Sequence, residues 1–141
     1  MNAAKILIIE DHNPDLELLR RFLDQQDANH ELVVLKDGVT ALRFIAEQRA
    51  SKDPVAPCVI VLDLHLPMHS GLEVLRAIRE APPLSHVALI VLTALASPTE
   101  EAEIRKAGAW YRTKPSTLVE YQELVTLILD LCKSVPVATY S

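Results

Sequence analysis

Five short apolar runs punctuate the chain: KILII (5–9), ELVVL (31–35), CVIVL (58–62), VALIVL (87–92) and a weaker AWYRT (109–113). The first four are dense in Ile, Val and Leu and show little polar alternation. Strands covered on both faces read this way, which predicts a parallel sheet. Between the runs, apolar residues recur at helical spacing: Leu16, Leu19 and Leu23; Ala41, Leu42, Ile45 and Ala46; Leu72, Leu75, Ala77 and Ile78. Asn13-Pro14 supplies an N-cap and a proline at the first helical position. Ser70-x-x-Glu73, Ser97-x-x-Glu100 and Thr117-x-x-Glu120 have capping-box spacing. The order is strand then helix, five times over. EQRASKDPVAP (47–57) reads as a long polar loop and SVPVATYS (134–141) as a tail, leaving one domain over 1–133.

Such alternation implies an α/β three-layer sandwich with five strands and five helices. Open sheets of this kind bind ligands beyond the carboxyl ends of their strands. The residues just past each run therefore matter most.

Composition narrows the function classes. The chain has 141 residues, half of them hydrophobic, and a net charge of −5 from 14 basic and 19 acidic residues. No basic run is present, which argues against nucleic acid as a partner. No apolar run approaches the ~20 residues that span a membrane. The amino terminus, MNAAKILIIEDH, lacks the pattern of a signal peptide, so the expected setting is the cytoplasm. Cys58 and Cys132 lie far apart and match no metal spacing; both read as core thiols of a reducing compartment.

Acids dominate the strand ends. Glu10 and Asp11 follow the first run, Asp63 the third, Thr93 and Ala94 the fourth, and Lys114-Pro115 the fifth. If these ends converge, three carboxylates meet one hydroxyl and one ammonium. Like charges in one pocket repel unless a cation joins them, and clustered oxygen ligands suit a hard ion such as Mg²⁺. An acid, a divalent ion and an anion clamp are the parts of phosphoryl transfer onto a carboxylate.

IIED (8–11), VLDLHLPMHSG (61–71), VLTA (91–94) and YRTKP (111–115) together resemble the receiver domain of two-component response regulators, over residues 5 to about 133. That resemblance implies a flavodoxin-like sheet of order 2-1-3-4-5. It implies Asp63 as phosphoacceptor and as metal ligand, Asp11 as a direct Mg²⁺ ligand, Glu10 acting through a metal-bound water, and the backbone carbonyl of His65 completing the set. It implies that Lys114 pairs with Asp63, that Thr93 and the Ala94 amide hold the phosphoryl group, and that Thr93 and Tyr111 act as the switch. It also implies a cis bond before Pro115. The implied partners are a sensor histidine kinase and a downstream protein or phosphotransfer partner. The first acid is Glu10 where Asp is more usual, and Ser70 stands where many members have Asp. EDHNPDLELLRRFL, with the long loop and tail, resembles the stand-alone receivers that serve phytochrome-type kinases.

His65 and His69 have i,i+4 spacing, but Pro67 lies between them, so they read as loop histidines rather than a helical metal pair. The resemblance also implies that His65 and Leu95, two past Asp63 and Thr93, influence how long a phosphoryl group survives. In the last helix, Leu118, Tyr121, Val125, Ile128 and Cys132 form one stripe, and Leu124, Leu127 and Leu131 a second. The second stripe suggests either a homodimer or partner face, or broad burial within the fold. The expectation is of a receiver without an output domain, whose output is a contact with another protein. The rival reading is an aspartate-nucleophile phosphatase acting on a separate substrate. That chemistry wants a second acid two past the nucleophile, and the residue there is His65.

Overall fold

A computed structural model describes residues 4–27, 29–68 and 70–133. Strands β1 (Ala4–Ile9), β2 (His30–Leu35), β3 (Val59–Asp63), β4 (Ala88–Thr93) and β5 (Trp110–Thr113) alternate with helices α1 (Asn13–Gln26), α2 (Gly38–Ala50), α3 (Gly71–Glu80), α4 (Pro98–Lys106) and α5 (Leu118–Lys133). The sheet is parallel throughout, in the order β2-β1-β3-β4-β5. The expected fold, including the strand order, is the one observed.

The two-sided burial of the strands follows from their period of two. Ile6, Ile8, Val59, Val61, Ile90 and Leu92 face one way and pack against α1 and α5. Leu7, Ile9, Ile60, Leu62, Leu89 and Val91 face the other way and pack against α2, α3 and α4. An apolar run without alternation is what two covered faces require.

Several local expectations shift. The N-cap of α1 is His12 rather than Asn13, and no side chain caps it; the Asn13 side chain instead accepts a hydrogen bond from Lys36 Nζ at 2.8 Å. Ser97 and Glu100 form a reciprocal capping box, and Thr117 and Glu120 make the same exchange. Ser70 caps α3 through the Leu72 amide rather than the Glu73 amide. Helix α2 continues through Ala50, so the polar stretch at 47–57 is helical in its first four residues. The tail at 134–141 and His69 lie outside the described residues.

Two larger expectations are overturned. Cys58 and Cys132 are not separate thiols: they form a disulfide, with Cα atoms 4.9 Å apart. Their sequence separation of 74 hid the pairing, because β3 and the end of α5 meet only in the folded chain. The reading of a reducing compartment rested on free thiols and loses that support. The Lys114–Pro115 bond is trans, and no peptide bond among the described residues is cis. The two isomers of an X–Pro bond differ by only about 0.5–1 kcal/mol, so a proline alone does not select one.

In α5, Leu124 and Leu129 are buried and Leu127 and Leu131 pack against the same core from its margin. Leu118 is exposed rather than part of the sheet-facing stripe. Most of the second stripe is therefore covered by the fold itself. Tyr121 adds a polar anchor, since its hydroxyl donates to the Asp15 carboxylate on α1. Burial, and then Asp15, push the Tyr121 hydroxyl above its ordinary range.

Candidate functional site

The parallel ladder does more than pair strands; it carries past their ends and sets the next residues in place. The Glu10 amide donates to Leu35 O at 3.0 Å, the Leu64 amide to Leu92 O at 2.9 Å, and the Lys114 amide to Thr93 O at 3.2 Å. Glu10, Asp63, Thr93 and Lys114 are thereby brought to one edge of the sheet. Asp63 is the last residue of β3, one residue further than the apolar run suggested, and is 2% exposed. Glu10 is 4% exposed and Thr93 is fully buried.

Every oxygen of these two buried acids is spoken for. Asp63 Oδ1 accepts from the His65 amide at 3.0 Å, and Asp63 Oδ2 from Lys114 Nζ at 3.0 Å. Lys114 Nζ also lies 3.4 Å from Glu10 Oε1. Glu10 Oε2 accepts from the Asp11 and His12 amides at 3.0 and 3.2 Å. Burial pulls Lys114 toward losing its proton, but Asp63 and Glu10 outweigh it and raise its pKa. Glu10 is pushed up to about 7, first by burial and then by the neighbouring Asp63.

Asp11 sits exposed at the rim, and carboxylate oxygens of Glu10, Asp11 and Asp63 all lie within 4.8 Å of one another. Ala94 is exposed directly after β4. Thr93 Oγ1 donates to Leu95 O at 3.3 Å, long for an O–H donor and so easily exchanged. Tyr111 is half-buried on β5, beside a cavity of about 280 Å³ that it lines with Glu101, Ile104, Arg105 and Ala109. Glu10, Asp11, Asp63, Thr93, Ala94 and Lys114 are thus at one edge, while Tyr111 lies further back on β5, opposite Val91.

Two features escaped the sequence. His65 Nε2 lies 3.2 Å from Glu100 Oε2, tying the loop after β3 to the first turn of α4. Glu100 had a sufficient local explanation as a capping residue, and a 35-residue separation leaves no periodic trace. Gly71 is the other: a Cβ placed there would lie 1.9 Å from the Leu64 carbonyl oxygen. The first turn of α3 can approach the loop that follows Asp63 only because that residue has no side chain.

Residues 6–126 match the family model for the response regulator receiver domain. The chain belongs to the response regulator receiver family. Response regulator Rcp1 of Synechocystis sp. is 38% identical over 88 residues, 62% of this chain and 60% of that protein, so the match spans less than two thirds of Rcp1. Polar-differentiation response regulator DivK of Brucella anthropi is 29% identical over 121 residues, covering 85% of this chain and 91% of its own. Among solved structures, the phosphorylated cyanobacterial phytochrome response regulator RcpA superposes with a TM-score of 0.79 at 27% identity, over 95% of this chain and 96% of that one. The Mn²⁺-bound form of Rcp1 gives a TM-score of 0.78 at 29% identity, over 94% and 96%.

The acid pocket of this receiver fits a divalent cation on its own chemistry. Among the described residues it offers hard oxygen donors from three side chains against one ammonium, and burial, followed by the neighbouring Asp63, raises the pKa of Glu10. A stability prediction follows from the sign of the shift. The pKa of Glu10 rises from 4.5 to about 7 on folding. Between those values the unfolded chain loses this proton while the folded protein keeps it, so stability falls as pH rises through the window. Above about 7 the loss is complete. Metal-free protein is expected to lose thermal stability across this range, and Glu10→Gln to flatten that slope. Added Mg²⁺ is expected to raise the melting temperature more at pH 8 than at pH 5.5; equal gains at both would contradict this origin.

Proposed function

We propose that this chain accepts a phosphoryl group on Asp63 from a sensor histidine kinase and signals by a resulting change in its protein-interaction surface. The observation that carries this reading is the clamp on Asp63. A carboxylate 2% exposed is held by an ammonium at 3.0 Å and an amide at 3.0 Å, at the open end of the sheet, beside two further acids.

The His65 amide fixes Asp63 Oδ1, and Lys114 holds Oδ2. A carboxylate oxygen of Asp63 attacks the phosphorus of a phosphohistidine; the P–N bond breaks, a P–O bond forms, and the imidazole, already protonated on its other ring nitrogen, departs neutral. Lys114 then turns from the carboxylate to the phosphoryl oxygens, where its charge offsets the developing negative charge. The Ala94 amide and Thr93 hydroxyl supply two neutral donors, Thr93 by giving up its long bond to Leu95. Asp11, Asp63, Glu10 through a water, and the His65 carbonyl would hold Mg²⁺, which when bound neutralises charge shared between the carboxylates and the transferred group. Inward movement of Thr93 vacates space toward which Tyr111 can turn, linking the site to β4, α4 and β5. The protein thus assists only its own phosphorylation and dephosphorylation, and output passes to a downstream protein or a second copy of the chain.

Incubation with a small phosphodonor and Mg²⁺, followed by intact mass measurement, tests this reading. One phosphoryl adduct per chain is expected. Sustained turnover of added phosphoesters would instead favour a phosphatase, and no adduct would favour an inert receiver.

The mouth of the pocket bears on lifetime. His65 stands two past Asp63 and is pinned to Glu100, while Leu95 is 80% exposed beside Thr93. Both restrict the approach of an attacking water. Changing each to alanine is expected to shorten the phosphoryl lifetime several-fold, measured by adduct decay; unchanged decay would remove them from this role.

A further inference from the structure

Phosphoryl transfer uses neither cysteine, yet the structure joins them. Cys58 precedes β3, the central strand, and lies five residues before Asp63. At about 3.3 Å per residue that places it roughly 16 Å from the acid pocket, at the opposite end of the sheet. Cys132 lies in the last turn of α5.

The two ends of α5 are held differently. Its first half is fixed by buried Tyr121, Leu124 and Val125 and by the bond from Tyr121 to Asp15. Its last four residues, 130–133, contain no fully buried side chain: Asp130 and Lys133 are exposed, and Leu131 and Cys132 are half-buried against the margin of the core. Backbone with little burial opens at low free-energy cost unless something ties it down. Leu131 holds this last turn through packing at the margin of the core, and the disulfide adds a covalent tie to the residue just before β3, the central strand. Cys58 is half-buried as well, so both cysteines lie at the margin of the core rather than sealed inside it. A disulfide in that position is open to exchange with an external thiol while the rest of the fold stays intact.

We propose that Cys58–Cys132 is a thiol–disulfide exchange site whose redox state sets how firmly the last turn of α5 is docked, independently of the phosphoacceptor chemistry. The co-reactant is a dithiol reductant. One of its thiolates attacks a cysteine sulfur, the Cys–Cys bond breaks and a mixed disulfide forms. Its second thiol then displaces that cysteine. The products are two cysteine thiols and the oxidised reductant, with two electrons and two protons taken from the dithiol. In the closed state α5 ends as a rigid part of the domain surface. In the open state its last turn frays, and any partner contact made there is lost or gained with it.

The test uses the full chain purified without reductant. Iodoacetamide is expected to add to neither cysteine of the native protein, and to both after native treatment with millimolar dithiothreitol. Hydrogen exchange of peptides covering 126–133 is expected to speed up about tenfold on opening, while peptides of β1, β3 and β4 stay protected. Cys58→Ala and Cys132→Ser should each show the open-state exchange without reductant. Phosphoryl acceptance from a small phosphodonor should agree within about twofold between the two states. Alkylation before reduction, opening only in denaturant, or equal exchange at the end of α5 in both states would each overturn the proposal. A redox-dependent rate of acceptance would overturn its independence from Asp63. Failure of acceptance in both states would count against the proposed function and leave the redox result standing.

Discussion

Asp63→Asn is expected to reduce phosphoryl acceptance to background without unfolding the protein. An amide oxygen is a far weaker nucleophile than a carboxylate, and no other acid among the described residues of the pocket can take its place. Glu10 has one oxygen tied to two backbone amides and carries a raised pKa, so it is both held away and partly protonated. Asp11 lies at the exposed rim, outside the Lys114 clamp. The same substitution removes a like charge from beside Glu10, so its carboxyl should move back toward the ordinary range. Metal-free Asp63→Asn is therefore expected to melt no lower than the parent at pH 8. Lys114→Ala makes the contrasting case: the nucleophile remains but its charge partner is gone, and acceptance should slow by about a hundredfold rather than vanish. Intact mass against time, with melting curves on the same samples, measures both. Wild-type acceptance by Asp63→Asn would place the nucleophile elsewhere.

Gly71→Ala is expected to be the most destabilising single-methyl addition in the site region. The added carbon would meet the Leu64 carbonyl oxygen at 1.9 Å, with Leu64 C and Cα at 2.5 and 2.7 Å. All three are backbone atoms, so no side-chain rotation relieves the contact. Either α3 or the loop after β3 must move. Overpacking of a well-packed interior costs about 1–3 kcal/mol, and a backbone clash belongs at or above the upper end. For a domain of this size that lowers the melting temperature by roughly 10 °C. Leu64 lies between Asp63 and His65, so the same movement disturbs the His65 amide that holds Asp63 Oδ1. Divalent-ion affinity should fall along with stability. Gly108 offers an internal comparison with the opposite cause: its Cβ would meet nothing within 4 Å, and its φ of +66° is what disfavours a side chain. Gly108→Ala should cost about 1 kcal/mol and leave ion affinity unchanged. Calorimetry and Mg²⁺ titration on both variants separate the two.

Much of the site was legible in the sequence because parallel strands place their last residues on one edge. Apolar runs mark where strands end, and Glu10, Asp11, Asp63, Thr93 and Lys114 each follow such a run within two residues. The strand order was not in the periodicity and came from the family resemblance. What stayed hidden depends on contacts between distant segments. His65 and Glu100 each had an adequate local reading, and nothing in either segment signals the other. Cys58 and Cys132 each read as a separate thiol in the sequence, and their pairing depends on where α5 ends against the start of β3. Gly71 looked like an ordinary residue at a helix start, because a close approach of backbone leaves no mark on the chain that approaches. The second apolar stripe of α5 showed that the helix is covered but not by what; the fold itself covers most of it.

The most direct test of the central claim is chemical trapping of the phosphorylated residue. Phosphorylated protein treated with borohydride converts an acyl phosphate to the alcohol, and peptide mass mapping then locates the reduced residue. Homoserine at position 63, present only with both phosphodonor and Mg²⁺ and absent from Asp63→Asn, is the predicted result. A reduced residue at Glu10 or Asp11, or a stable phosphate ester on Thr93, would contradict it.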